Sequence, residues 1–136
     1  MRILVTGVTG QVGHELSRLQ WPAGVEIVAA SRRDLDLAQT DAIEPYIVEG
    51  GFDAVINPAA YTAVDKAETD LVTAWKVNAL APAAMAAATL KAGIPLLGIS
   101  TDYVFDGTGA AAYTEDDPIG PVGVYGASKA AGEMAI

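Results

Sequence analysis

"RILVTGVTGQVGHEL", residues 2–16, is the stretch that decides the fold of this chain. It begins with branched apolar residues typical of a buried β-strand and continues with apolar residues at helical spacing. Between the two lie Gly7, Gly10 and Gly13, in the spacing G-x-x-G-x-x-G. Glycines at such a turn allow a tight bend, close approach of a pyrophosphate to the backbone and close packing of the helix on the strand. The stretch therefore predicts a dinucleotide site with the phosphates at the helix N-terminus.

The rest of the chain continues this alternation of strands and helices. Near-continuous apolar strands separated by helical patterns are typical of a parallel sheet with helices on both faces. We therefore expect an α/β fold, a Rossmann-like doubly wound sheet in three α/β/α layers with strand order 3-2-1-4-5, forming one NAD(P)-binding domain over residues 1–136. The predicted strands are 2–6, 25–31, 35–37, 53–60 and 95–100, and the predicted helices are 11–20, 41–50, 70–93 and one that begins near Tyr125.

The composition limits the classes of partner. A net charge of −9 argues against nucleic acid or an anionic membrane surface, because both bind a basic face. The absence of cysteine excludes disulfides and thiolate metal sites, and the single histidine, His14, excludes a histidine-based metal site. The apolar start is too short for a signal peptide, and the stretch 78–90, interrupted by Pro82, is shorter than the ~20 residues of a membrane span. We expect a cytoplasmic protein without a membrane or nucleic-acid partner.

The end of the second predicted strand bears on the choice of cofactor. NAD sites place a carboxylate there for the ribose 2′-OH, whereas "SRRD" (31–34) places Ser31 at that point, followed by Arg32 and Arg33. A guanidinium suits a 2′-phosphate through charge-assisted hydrogen bonds. The pattern favours NADPH over NADH, although Asp34 is close by and a turn with two solvated arginines is the alternative.

Tyr125 and Lys129, in "VYGASK" (124–129), lie four residues apart at the start of the last predicted helix and therefore share one of its faces. A phenol that acts as a general acid at neutral pH needs a pKa about three units below its usual value, which corresponds to about 4 kcal/mol. One ammonium about 4 Å away supplies an interaction of about that size at an effective dielectric constant of about 20. The pair therefore indicates a tuned proton donor, with a solvated surface pair as the alternative.

Two further stretches end strands at the same predicted edge of the sheet. In "STDYVFDG" (100–107), Thr101 follows the fifth predicted strand and is suited to bind a carbonyl oxygen. In "INPAAYTAVDKAE" (56–68), the small residues Ala59 and Ala60 follow the fourth and would let a nicotinamide ribose approach the backbone. With Thr101 binding the substrate oxygen, Tyr125 donating a proton and Lys129 holding the nicotinamide ribose, the set predicts reduction of a carbonyl group.

The glycine loop, "NPAAYTAVDKAE", "STDYVFDG" and "YGASKAAGE" together resemble the extended short-chain dehydrogenases/reductases. The similarity is to the branch that uses NAD(P)H to reduce the 4-keto group of a dTDP-linked 6-deoxyhexose in dTDP-L-rhamnose synthesis. The resemblance implies that Thr101, Tyr125 and Lys129 are catalytic and that Thr101 and Asp102 face the nucleotide-sugar substrate. It also implies cofactor contacts at Gly10, Gln11 and Val12, at Asp36 and Leu37 near the adenine, at Ala59, Ala60 and Tyr61, and at Asn78, Tyr125 and Lys129, in addition to those of Gly7, Gly13, Ser31 and Arg32.

The chain departs from that family in two respects. Proteins of the family are about twice as long, and their second half forms most of the nucleotide-sugar domain and, in some members, a magnesium-linked dimer interface. The resemblance therefore implies a homodimer for the longer protein, no magnesium site within these residues, and little activity for this chain alone. In addition, Gly123 stands where the family often has asparagine, two residues before Tyr125.

Other functions share these motifs. A non-catalytic regulatory subunit, such as the β subunit of methionine adenosyltransferase, has similar ones, and so do nucleotide-sugar epimerases and dehydratases. Dehydratases usually have a glutamate after the Thr-Asp pair, whereas this chain has Tyr103 there. A stand-alone nucleotide-binding module is a third alternative, and it would have to cover the exposed edge of the fifth predicted strand.

Overall fold

The computed structural model describes all 136 residues and contains one parallel four-stranded sheet with helices. The strands are β1 (Arg2–Val5), β2 (Glu26–Ala29), β3 (Ala54–Asn57) and β4 (Leu96–Gly98), in the order β2-β1-β3-β4. The helices are α1 (Gln11–Arg18), α2 (Ile43–Glu49), α3 (Val64–Ala67), α4 (Leu71–Trp75), α5 (Ala81–Ala92) and α6 (Val124–Glu133), with short 3-10 turns at Thr40–Ala42 and Asp102–Val104 and a π-helical turn at Lys76–Leu80.

The core lies between the sheet and the helices that cover it. Leu4 in the centre of β1 is paired with Val28 of β2 and Val55 of β3, and its side chain is fully buried. Ile47 of α2 and Met85 of α5 pack in the same cluster. The apolar runs identified in the sequence therefore form the four strands, with buried residues in the central β1 and β3, and the Rossmann-like α/β class is confirmed.

The predicted strand at 35–37 is wrong, and the sheet has four strands instead of five. Leu35 and Leu37 are buried in the core as a strand would require, but their backbone forms successive turns. The N–H of Leu35 donates to the Ser31 carbonyl, and the N–H of Gln39 donates to the Asp36 carbonyl. Because these local bonds use the backbone groups, the segment does not extend the sheet beyond β2.

The long helical pattern at 70–93 is confirmed as one continuous helix, Leu71–Ala92. Gly93 ends it in the left-handed conformation, as the sequence predicts. By length and composition alone this helix could cross a membrane, a test that the core helices of water-soluble proteins also pass. Here Met85 and Ala88 bury one side of it in the core, while Leu97 of β4, at the edge of the sheet, is 58% exposed.

Helix α6 packs against the π-helical turn of this long helix. Pro82 has no N–H to donate to the carbonyl of Asn78 one turn earlier, and the turn containing Asn78 is correspondingly irregular. Gly132 of α6 approaches that carbonyl so closely that an added Cβ would lie 2.2 Å from the oxygen. The lack of a side chain at Gly132 therefore sets how close α6 comes to the rest of the fold.

Replacing Gly132 by alanine is expected to lower the free energy of unfolding by about 1–3 kcal/mol, because the new methyl group overpacks a backbone contact. The sign is informative, since the same replacement inside a free helix is stabilising by about 1 kcal/mol. Chemical denaturation measures the effect, and Gly120→Ala is the control because its Cβ would be in ordinary contact, 3.4 Å from Asp106. An unchanged or raised stability of Gly132→Ala would contradict this packing.

Candidate cofactor and active site

The glycine loop packs directly on the segment that follows β3. Gly7 has a positive φ of +57°, and a Cβ there would lie 2.7 Å from the Cα of Ala59. A Cβ on Gly13 would lie 2.3 Å from the Gly7 carbonyl oxygen, so both positions exclude any other residue. Gly10 precedes α1, and its N–H closes the turn on Gly7 at 2.9 Å. The structure thus brings the loop and Ala59 together at the carboxyl ends of β1 and β3.

A buried hydrogen bond joins these two strand ends. The hydroxyl of Thr6 donates to Oδ1 of Asn57 at 2.6 Å, and the N–H of Ala59 donates to the same oxygen at 3.3 Å. Both side chains are buried, so the bond is shielded from water. The pair holds the turn after β3 beside the glycine loop. Thr6 was not among the residues predicted from the sequence, because a threonine at the end of an apolar strand looks like any other strand residue.

The acidic side chains of the turn after β2 are paired with other residues of that turn. The hydroxyl and the N–H of Ser31 both donate to Oδ2 of Asp34, at 2.6 and 2.8 Å, and these bonds lower the pKa of the Asp34 carboxyl. Arg32 pairs with Asp36 at 3.3 Å, while its side chain is 77% exposed. The remaining predicted adenine contact, Leu37, has its side chain buried in the core.

Asn78 links the segment after β3 to α6. Its Oδ1 accepts from the N–H of Tyr61 at 2.8 Å, and its Nδ2 donates at 3.0 Å both to the Tyr61 carbonyl and to the hydroxyl of Ser128. The residue is 1% exposed. Because both amide hydrogens are donated, the side chain has no N–H left for a ligand. Its bonds instead connect the backbone of Tyr61 to Ser128 of α6. Nothing in the spacing of the sequence identified Ser128 as its partner.

Tyr61 is held at its other end as well. Its hydroxyl donates to Oδ2 of Asp70 at 3.2 Å, and burial together with that carboxylate raises the pKa of the Tyr61 phenol. Ala60 lies between Tyr61 and Ala59 in the same half-buried segment. Gln11 and Val12, the first residues of α1, are exposed beside the glycine loop. Of the residues predicted to contact the cofactor, Gln11 and Val12 are thus exposed, whereas Ala59, Ala60 and Tyr61 are half-buried.

Tyr125 and Lys129 are both buried in α6, one turn apart. Tyr125 packs with Ala67 and Ala74, and its ring meets that of Tyr103 edge to face, with 5.4 Å between centroids. Lys129 is 8% exposed and its ammonium donates to the carbonyl oxygen of Ile99, just after β4. No hydrogen bond joins the ammonium to the Tyr125 hydroxyl. Burial lowers the pKa of Lys129, and the Glu133 carboxylate on the next turn opposes that shift.

Thr101 lies after β4 at the start of the short turn that packs on Tyr125. Its Oγ1 accepts from the N–H of Tyr103 at 3.3 Å and donates to Oδ1 of Asp102 at 3.2 Å. Since Tyr103 contacts the Tyr125 ring, the turn brings Thr101 and Asp102 to the side of the sheet where α6 begins. Near this point a cavity of about 210 Å3 is lined by Asn57, Ser100, Lys129, Glu133 and Ile136 among others.

The acidic side chains do not gather into a metal site. The structure contains no group of three or more histidine, aspartate or glutamate residues placed to hold a metal ion.

Comparisons with known proteins agree with the motifs. A family model described as "RmlD substrate binding domain" matches residues 1–136. A dTDP-4-dehydrorhamnose reductase of Burkholderia thailandensis is 46% identical over 136 residues, which are 100% of this chain and 45% of that protein. The crystal structure of a dTDP-4-dehydrorhamnose reductase from Clostridium acetobutylicum superposes with a TM-score of 0.95 at 40% identity, covering 99% of this chain and 48% of that one.

A second solved structure carries the cofactor. The dTDP-4-dehydrorhamnose reductase of Bacillus anthracis, determined in complex with NADP, superposes with a TM-score of 0.93 at 35% identity over 98% of this chain and 48% of its own. The resemblance predicted from the motifs is therefore confirmed. The chain spans about half the length of the relatives that it matches.

The burial of Lys129 predicts a specific dependence of stability on pH. Because its pKa is lowered in the folded state, the unfolded chain binds more protons between that lowered value and the ordinary value of 10.5. The free energy of unfolding contributed by this group therefore rises as the pH increases through that interval. Denaturation of wild type and Lys129→Met across the alkaline range measures the contribution as a difference. A difference that stays constant, or that falls with pH, would contradict it.

Proposed function

Because the chain belongs to the RmlD substrate binding domain family, we propose that the protein carrying it is an NADPH-dependent reductase of the 4-keto group of dTDP-4-dehydrorhamnose, with dTDP-rhamnose as product. The observation that carries the proposal is the 46% identity, over every residue of this chain, to a protein of that activity. Since the match covers about half of that protein, the activity is proposed for the intact protein and not for these residues alone.

The glycine loop fits a dinucleotide cofactor. A Cβ at Gly7 or Gly13 would collide with backbone, so the loop keeps a smooth backbone surface beside the N-terminus of α1. Gly10, Gln11 and Val12 would contact the pyrophosphate, and Ala59, Ala60 and Tyr61 the nicotinamide half. When bound, NADPH supplies the hydride that reaches the carbonyl carbon of the sugar.

Three side chains would then bind and protonate the carbonyl oxygen. Thr101, whose hydroxyl donates to Asp102 in this structure, would turn to donate a hydrogen bond to the oxygen, and Tyr125 would transfer its phenolic proton to that oxygen as the carbonyl becomes a hydroxyl. Lys129 would stabilise the phenolate left on Tyr125 and hold the nicotinamide ribose. Because its ammonium is bonded to Ile99 in this structure, that role requires the side chain to turn or to share its three hydrogens between both partners.

The preference for NADPH is supported by the turn after β2. Asp34, the carboxylate that would suit a ribose 2′-OH, is occupied by two hydrogen bonds from Ser31. Arg32 is exposed beside it and carries the charge that suits a 2′-phosphate. A homologous structure contains NADP. The intact protein is proposed to act in the cytoplasm, where NADPH and nucleotide sugars are available, and as a homodimer.

Arg32→Ala is expected to weaken NADPH binding by about 10- to 100-fold, the value of one charge-assisted hydrogen bond at about 1.5–3 kcal/mol. NADH affinity should change little, because NADH lacks the 2′-phosphate. Fluorescence titration of the nicotinamide with both cofactors measures this. Arg18→Ala, at the far end of α1, is the matched control and should change neither affinity. Equal weakening for both cofactors would overturn the proposed role of Arg32.

Tyr125→Phe in the intact protein is expected to lower kcat by at least about 100-fold, the contribution typical of a positioned general acid. NADPH affinity should remain within a few-fold of wild type, because the hydroxyl acts on the substrate. The assay follows NADPH consumption with dTDP-4-dehydrorhamnose. A wild-type protein that binds NADPH without turning over this sugar would indicate the regulatory-subunit alternative and refute the reductase.

A further inference from the structure

We propose that Glu68 is a positioning residue for Tyr125, acting as the N-terminal cap of α6 that Gly123 has no side chain to provide. The inference rests on the proposed function in taking Tyr125 as the proton donor. Glu68 belongs to the stretch "AVDKAE", to which the cofactor and substrate contacts proposed above give no role.

The contact itself is a hydrogen bond across 56 residues of sequence. Oε1 of Glu68 accepts from the N–H of Val124, the first residue of α6, at 2.8 Å. The first N–H groups of a helix have no partner within the helix, and a carboxylate is the acceptor that the positive end of the helix dipole favours. Gly123, at the position before the helix, is extended at φ −134° and ψ 169° and makes no side-chain cap. The acceptor that a serine or asparagine usually provides locally therefore comes from another element.

The bond fixes the part of α6 that carries Tyr125. Val124 directly precedes Tyr125, and Ala67, the neighbour of Glu68, packs in the same buried cluster as the Tyr125 ring. Farther along α6, Ser128 is bonded to Asn78, which fixes the helix one turn later. The two bonds hold α6 at two points four residues apart, on either side of Tyr125. Without the Glu68 bond, the start of α6 would be held only from farther along the helix, by the bonds of Ser128 and Lys129, and by apolar packing.

Gly123 and the Glu68 carboxylate occupy adjoining space. A Cβ on Gly123 would lie 3.0 Å from Oε1 of Glu68, closer than ordinary contact. A serine at 123 would therefore compete with Glu68 while offering its own hydroxyl as a cap, since its extended backbone conformation is one that serine adopts at this position. Glu68 and a serine at position 123 are therefore alternative caps for the N-terminus of α6. One cap can be exchanged for the other by mutation.

The experiment compares Glu68→Ala, Gly123→Ser and their combination in the intact protein. Steady-state kinetics with NADPH and dTDP-4-dehydrorhamnose should show kcat lowered about tenfold or more in Glu68→Ala, with NADPH affinity nearly unchanged, since small displacements of a catalytic group have effects of this order. Gly123→Ser in the Glu68→Ala background should recover most of that loss. Glu68→Gln, which keeps an acceptor oxygen, should lie between wild type and Glu68→Ala. Asp65→Ala is the matched control, because Asp65 is an exposed acid of α3 without a hydrogen bond to α6.

A second readout separates this proposal from the reductase function. Hydrogen exchange of the first turn of α6 and the NMR signals of the Tyr125 ring report the position of the helix whether or not the sugar is turned over. Faster exchange and shifted ring signals in Glu68→Ala, both restored by Gly123→Ser, would support positioning even if wild type reduces no sugar. If kcat, exchange and ring signals in Glu68→Ala match those of Asp65→Ala, the proposal is overturned. A loss in Glu68→Ala that serine at 123 does not restore would assign Glu68 a role other than capping.

Discussion

The side-chain amide of Asn78 is the group on which the arrangement of the site depends. A buried amide has to be hydrogen-bonded within the protein, because leaving it unpaired costs about 1–3 kcal/mol. Asn78 meets that requirement from two directions, with the backbone of Tyr61 on one side and the hydroxyl of Ser128 on the other. Since Tyr61 follows β3 and Ser128 lies in α6, one side chain sets how far the helix of Tyr125 stands from the strand ends.

The main chain around Asn78 also contributes to the position of α6. Its helix contains a π-helical turn just before Pro82, and irregular turns of this kind are frequent at functional sites. Gly132 uses the region of the Asn78 carbonyl as a contact surface, so α6 approaches more closely than any side chain would allow. The side chain and the carbonyl of one residue thus hold two different turns of α6. The π-helical turn and the contacts that hold the helix of Tyr125 therefore involve the same residue, Asn78.

The electrostatics of the site are local and do not follow from the net charge of −9. Asp34 is a carboxylate in the turn after β2, and its Oδ2 accepts from the hydroxyl and the N–H of Ser31. Glu68 is another acid near the site, and its Oε1 accepts from the first N–H of α6. Arg32 is exposed after β2, and the buried Lys129 of α6 donates to the Ile99 carbonyl just after β4. Asp34 and Glu68 therefore hold backbone N–H groups, whereas Asp36 pairs with Arg32.

The sequence by itself determined the features that depend on local pattern. The buried strands, the glycine loop, the end of the long helix at Gly93 and the shared face of Tyr125 and Lys129 follow from periodicity and from backbone sterics, which act over a few residues. Only the tertiary structure decided that 35–37 forms turns, that Lys129 bonds to Ile99, and that Glu68 and Ser128 fix α6. Residues 35–37 form turns because hydrogen bonds within residues 31–39 pair backbone N–H groups there without a neighbouring strand. The other contacts join residues 30 to 56 positions apart, and such pairs are set by how the sheet and helices pack, which no local pattern encodes.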